Sequence, residues 1–173
     1  MKRLCFLLIM TVFVNIWVNA QIQRRFFNFN LGTSTKNEVI SYFKSKGHKI
    51  EKQKDNNDNY VVKHVTFGGH TWPYTVYTFY KGKLYVVYFS DSEDFTSTQT
   101  LDLVWNNINK KISDKYYKYY NSSSSNDNTK EYQDVRTRIS LSYDYFGGRR
   151  SLTLLYIDRR INSQKYEDSI DEL

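Results

Sequence analysis

Three histidines, His48, His64 and His70, are the only side chains in this chain that ordinarily change charge near neutral pH. A metal site needs several such groups to converge, and no His-x-His or His-x-x-x-His spacing puts two of them on one face of a strand or helix. His64 and His70 flank Gly68-Gly69 and meet only if the chain turns there, with no third ligand nearby in sequence. Nucleophile chemistry leaves no stronger trace. There is no Gly-x-Ser-x-Gly elbow and no phosphate-binding glycine loop, and Gly32-Thr33-Ser34-Thr35 fits a helix start. A hydrolase with dispersed catalytic residues would leave no local signature, since triad members need not be neighbours in sequence. Asp91, Glu93 and Asp94 offer the paired carboxylates that glycoside hydrolysis uses. The same acids fit a strand-to-helix turn, where the positive end of the helix favours them without any catalytic role. Asp55, Asn57 and Asn59 match the first three ligand positions of a calcium loop, but Tyr60 stands where glycine is needed and Thr66 where the bidentate glutamate belongs. The segment reads as a solvated turn. The residues thus predict a non-enzymatic chain with no catalytic group, no metal and no cofactor.

Aromatic side chains are the feature that remains. The chain holds 16 tyrosines, 11 phenylalanines and 3 tryptophans. Tyr and Trp bury large areas at modest entropic cost and are favoured at recognition surfaces. The stretch from Gly68 to Asp91 is rich in them and reads as a β-hairpin of strands 72–80 and 83–90 turning at Lys81-Gly82. Counting outward pairs Tyr80 with Lys83, Thr78 with Tyr85, Val76 with Val87 and Tyr74 with Phe89. One face then carries Trp72, Tyr74, Val76, Val87 and Phe89, joined by Val61, Val65 and Phe67 from the preceding strand, and is the expected core face. The other carries Tyr77, Phe79, Leu84, Val86 and Tyr88. Two apolar faces mean that something covers both. The second cover is either a binding partner or another part of the chain: the tail, the first helix or a further strand. Trp72, Tyr77, Phe79 and Tyr88 are the candidate binding residues.

The elements that position this hairpin follow from pattern. Residues 1–20 read as a secretory signal peptide, with Lys2 and Arg3, an apolar run from Leu4 to Val18, and Val18-Asn19-Ala20 as the cleavage site. The one cysteine, Cys5, leaves with it, so neither a disulfide framework nor a thiol nucleophile is expected. Residues 21–173 form a single domain of about 153 residues, enough for a real core. Loss of Lys2 and Arg3 lowers the formal net charge from +7 to +5. The charge is scattered, and an exported chain argues against a nucleic-acid partner. After cleavage no stable membrane span is expected.

Within the domain, Phe27, Phe29 and Leu31 alternate as a short edge strand. Thr35 and Glu38 have capping-box spacing, Val39, Ile40 and Phe43 make an apolar stripe, and Gly47 stops a helix over 35–46. Residues 48–54 and 60–67 read as strands. Thr96 and Gln99 open a second helix with a stripe of Leu101, Val104, Trp105, Ile108 and Ile112. The stretch 121–130 reads as a flexible polar loop. A last hairpin turns at Gly147-Gly148 and pairs Tyr143 with Leu152, Leu141 with Leu154 and Ile139 with Tyr156. A charged tail with room for a short helix ends the chain. The fold class is α+β: an antiparallel sheet of about six strands packed by two helices, in the order α-β-β-β-β-α-β-β.

Two stretches carry a resemblance. Gly32-Thr33-Ser34-Thr35, Glu38-Val39-Ile40 and Gly47 are similar to the first helix of small bacterial envelope proteins with the β-lactamase-inhibitor-like fold, a group that includes small lipoproteins of outer-membrane assembly. Phe67-Gly68-Gly69 and Lys81 to Phe89 resemble secreted proteins of Bacteroidota. The matching pieces span about a quarter of the mature chain, and the lipoproteins' cysteine at the cleavage site is missing here. The resemblance implies a sheet-and-helix domain with a binding or scaffolding role, and it carries no catalytic residue across. The function expected is a secreted or periplasmic binding module for an envelope or secreted protein. The alternative is a glycan-binding or glycan-processing accessory with exposed aromatics.

Overall fold

One extra residue decides which side chains of the central hairpin are core. Strand β5 (His70–Tyr80) pairs with β6 (Lys83–Asp94) across a two-residue turn in which Lys81 and Gly82 both take positive φ, 44° and 75°. Tyr80 opposes Lys83 and Phe79 opposes Leu84, as counting predicts. Thr78 then opposes Val86, Tyr77 opposes Val87 and Val76 opposes Tyr88. Tyr85 is the inserted residue of a β-bulge, which reverses the inward-outward alternation beyond it. A second break lies further along. Val62 and Val65 are both buried, with His64 between them at φ 55°, and opposite them Trp72 and Thr75 are both buried across Pro73. Uninterrupted alternation, the assumption behind the sequence reading, fails at both places.

In the computed structural model, which describes residues 21–54, 58–94 and 100–171, the chain is an α+β domain built on a seven-stranded antiparallel sheet. The side chains of Asp94 and Phe146 are outside that description, as are residues 1–20 with Cys5, read as a signal peptide, residues 55–57 of the segment read as a solvated turn, and Thr96 and Gln99, read as the cap of the second helix. The chain opens with a separate two-stranded hairpin, β1 (Arg25–Phe26) and β2 (Phe29–Asn30). Helix α1 (Lys36–Ser45) precedes β3 (Ile50–Lys52) and β4 (Asn59–Phe67). After β6 come α2 (Thr100–Tyr116), β7 (Thr129–Gln133), β8 (Thr137–Phe146), β9 (Arg149–Asp158) and α3 (Arg159–Asp171). The spatial order is β3-β4-β5-β6-β9-β8-β7, so the last hairpin folds back to set β9 against β6.

Local chemistry explains the helices. Thr35 accepts from the Glu38 amide at 3.3 Å, while the Glu38 carboxylate accepts from the Thr35 amide at 2.6 Å, the reciprocal capping box. Those bonds hold the Glu38 carboxyl below its ordinary value. Asp158 ends β9 and caps α3 through the Ile161 amide at 2.9 Å. It also takes the partly buried Arg24 guanidinium, which bonds Thr137 Oγ1 at 2.8 Å and the Leu31 carbonyl at 2.7 Å as well. Gly32 lies against this pair at φ 86°, and a side chain there would collide with the Asp158 carboxylate.

One face of the sheet is the core. The rows Val62-Thr75-Phe89-Leu154-Leu141 and Tyr77-Val87-Tyr156-Ile139-Tyr132 run across it, all buried. Over them lie α1 through Val39 and Phe43, α2 through Leu101, Ile108, Ile112 and Tyr116, and the first hairpin through Phe26 and Phe29. Phe27, Phe29 and Leu31 therefore belong to a lid on the sheet rather than to an edge strand. On the other face α3 covers only one end, where Lys165 reaches the Tyr85 hydroxyl at 2.9 Å and Asp168 takes Lys81 at 2.7 Å. The rest of that face shows the row Val61-Val76-Tyr88-Leu155, half-buried and flanked by Thr78, Ser90, Ser140 and Thr153.

Candidate functional site

The four residues expected to bind do not share a surface. Trp72, Tyr77 and Phe79 are fully buried on the core face, and only Tyr88 points to the open face. Tyr77 packs at 5.6 Å from the Phe29 ring and 5.0 Å from Phe43, so the first helix and the opening hairpin cover the face assigned to a partner. Trp72 donates its ring N–H to the Phe67 carbonyl at 3.1 Å and stands 5.5 Å from Phe89, as a core tryptophan does. The bulge at Tyr85 is the physical reason. It moves Val87 and Phe89 of β6 onto the face of Tyr77 and Phe79, which makes that face the core and leaves Tyr74 and Val76, assigned to the core face, pointing outward.

The charged groups that could do chemistry tie elements together, His70 and Asp91 joining β5 to β6 and Glu93 and Arg150 clamping α2. His70 Nε2 lies 2.8 Å from Asp91 Oδ2. His64 is exposed and makes no meeting with it. Glu93 accepts from the Leu101 amide at 3.2 Å, the acid-at-helix-start role predicted for it. Arg150 of β9 reaches Glu93 at 3.4 Å and Asp102 at 3.2 Å, and Tyr143 donates to Asp102 at 2.5 Å. Burial first, and the bond to Asp102 second, push the Tyr143 phenol far above its ordinary value. No group of three or more His, Cys, Asp or Glu residues among those described is placed to hold a metal ion.

A groove forms instead at the other end of α2. The run Lys115-Tyr116-Tyr117-Lys118-Tyr119-Tyr120 both extends the helix and leads away from it. Tyr116 closes α2 inside the core, Tyr117–Tyr119 make one 3₁₀ turn, and Tyr120 is extended at φ −61°, ψ 127°. Tyr120 then bridges Tyr132 on β7, and the Asn121 amide donates to the Glu131 carbonyl at 2.9 Å. The following serine and asparagine side chains hold the turn in place. Ser125 Oγ donates to the Asn121 carbonyl at 2.7 Å and accepts from the Glu131 amide at 2.9 Å, and Asn126 Oδ1 accepts from the Thr129 amide at 2.8 Å. Strand β7 starts inside the stretch read as a loop, and it supplies the groove's far wall.

Tyr117, Tyr120 and Tyr132 line this groove together with Asn109, Ser113 and Lys130, around a volume of about 320 Å³. Tyr117 and Tyr120 are 74% and 45% exposed, large for aromatic rings that already sit against the protein. The Tyr120 and Tyr132 rings lie 5.6 Å apart and tilted by 58°. Burial, with Tyr120 as a second cause, raises the Tyr132 phenol above its ordinary value. The groove therefore offers two apolar ring faces bordered by an amide, a hydroxyl and an ammonium. The tyrosine run was visible in the sequence, but its opposing wall depends on β7, whose five residues give a weak strand pattern. Against known family models, curated protein sequences and solved structures, the chain matches nothing.

Proposed function

We propose that this protein is a non-enzymatic carbohydrate-binding module, working outside the cytoplasm after loss of its first 20 residues. The observation that carries this reading is the convergence of exposed Tyr117 and Tyr120 with Asn109, Ser113 and Lys130 on one groove. A sugar ring has an apolar face of C–H groups and a polar rim of hydroxyls. Tyrosine faces suit the first, and the amide, hydroxyl and ammonium groups suit the second. The volume of about 320 Å³ is at the small end of ligand sites, which suits one or two sugar units.

The test is an oligosaccharide array followed by titration calorimetry with the best binder. Tyr117→Ala and Tyr120→Ala should each weaken binding by about tenfold, which is ~1.4 kcal/mol. Tyr166→Ala removes an equally exposed ring outside the groove and should change nothing. No array binder, or equal loss with Tyr166→Ala, would overturn the reading.

A protein partner on the open sheet face is the second reading. The row Val61-Val76-Tyr88-Leu155 favours it, since four apolar side chains adjoin on a face that α3 covers only at one end. Tyr88→Ser with Leu155→Ser separates the two readings, because that pair should leave sugar binding intact.

A further inference from the structure

The opposite flank of α2 holds a second cavity of different character. Phe67, Leu154 and Tyr156 floor it, Ile108 and Ile112 roof it, and its volume is about 170 Å³. Lys111 and Lys115 stand one turn apart at its mouth, and none of its ten lining residues is acidic. Lys111 donates to the Gly68 carbonyl at 3.0 Å and Lys115 to Gln23 Oε1 at 3.1 Å. Both partners are neutral, and each ammonium carries three N–H donors, of which these bonds use one. Like charges at i and i+4 on a helix disfavour one another. Their placement here over an apolar hole gives the fold nothing that a lysine with an acid would not give better, and such local conflicts concentrate at functional sites.

We propose that this cavity binds a small amphiphilic anion: a carboxylate whose apolar arm is one ring or a short acyl chain. The arm enters between the sheet and α2, and the carboxylate stays at the mouth between the two ammonium groups. Size sets the arm. An apolar cavity of about 150 Å³ accommodates benzene, so about 170 Å³ takes one ring and little more. Charge sets the head, because the cavity lining holds two cations and no acid, the nearby Asp114 on α2 being taken by Lys110 at 2.7 Å, and an anion at the mouth gains more from two ammonium groups than a neutral group does. The site shares no lining residue with the tyrosine groove and does not depend on it.

The experiment is an amide-shift titration of residues 21–173 with 3-phenylpropanoate, and separately with the neutral 3-phenylpropan-1-ol. The acid should give saturable shifts at Gly68, Gly69, Ile108 and Ile112, with a Kd on the order of 1 mM or tighter for so small a ligand. The alcohol should bind at least about tenfold more weakly, and added salt should weaken only the acid. Lys111→Gln with Lys115→Gln should bring the acid down to the alcohol's affinity, and arginine at both positions should restore most of it. These side chains are at the rim, so the variants fold, which a melting curve checks. Equal binding of acid and alcohol, no saturable shift by about 10 mM, well above the Kd expected for a ligand of this size, or indifference to the glutamine pair would each overturn the proposal.

Discussion

Tyr77 shows how much one side chain depends on which face the bulge makes the core. Its ring is wholly buried between Phe29 and Phe43, yet its hydroxyl has no hydrogen-bond partner among the described residues, and the same holds for Thr75 Oγ1 two positions earlier. A buried polar group left unpaired costs about 1–3 kcal/mol. Tyr77→Phe keeps the ring contacts and removes the hydroxyl, so it should stabilise the domain by about 1 kcal/mol, and Thr75→Val should act in the same direction. Tyr77→Ser removes the ring as well and should cost roughly 3–5 kcal/mol. Urea unfolding of the three variants decides the matter. A destabilised Tyr77→Phe would mean the hydroxyl has a partner and the burial argument is wrong. Nothing in the local sequence announces this role. Tyrosine serves both recognition surfaces and cores, and only the inserted Tyr85, invisible to counting, sets Val87 and Phe89 on the face of Tyr77 and makes that face the core.

At the scale of elements, the start of α2 is held by polar and charged groups from three strands. Glu93 of β6, Tyr143 of β8 and Arg150 of β9 meet Asp102 and the Leu101 amide in one half-buried cluster. Arg150 lies between two carboxylates, and its side chain is 11% exposed. Arg150→Ala would leave both acids facing each other with little solvent to screen them. Removing one partner of a fully buried pair costs 3–5 kcal/mol, and partial exposure here lowers the expectation to about 2–3 kcal/mol. Asp102→Asn takes away one of the two charges and with it the repulsion between the acids. The double variant should therefore lose less than the sum of the singles by about 0.5–1 kcal/mol, a coupling that a double-mutant cycle measures. Additive losses would show that the acids do not sense one another. Sequence reading placed Glu93 at a helix start correctly because that role is local. It could not pair Glu93 with Arg150, since strand β9 reaches β6 only after the chain has made α2, β7 and β8.

Across the whole molecule, legibility followed the range of the interaction. The capping box at Thr35 and Glu38 and the pairing of Tyr143, Leu141 and Ile139 with Leu152, Leu154 and Tyr156 depend on residues close in sequence, and the structure places them as read. The faces of β4 and β5 did not follow, because the breaks at His64, Pro73 and Tyr85 shift parity without a strong sequence mark. The groove at Tyr117 and Tyr120 did not follow either, because β7 is short and half polar. The α+β class itself was legible, since it needs only the kinds and order of elements.

One consequence of so tyrosine-rich a core belongs to this scale. Burial raises the phenols of Tyr77, Tyr143 and Tyr156 well above their ordinary value of ~10, with Asp102 adding to the effect at Tyr143. A group whose folded pKa is raised contributes stability that is fully present below its unfolded pKa and is lost as pH climbs beyond it. The domain should accordingly keep its stability up to about pH 10 and lose it steeply above, as the unfolded chain gives up these protons and the folded one cannot. Absorbance of tyrosinate and far-ultraviolet circular dichroism, followed together through alkaline titration, should show a late absorbance component that coincides with loss of the sheet signal. Tyr77→Phe should move that transition to higher pH by removing one of the phenols that drives it. If the late component instead completes while the sheet is intact, these phenols reach solvent in the folded state, and the tyrosine core is looser than its packing implies.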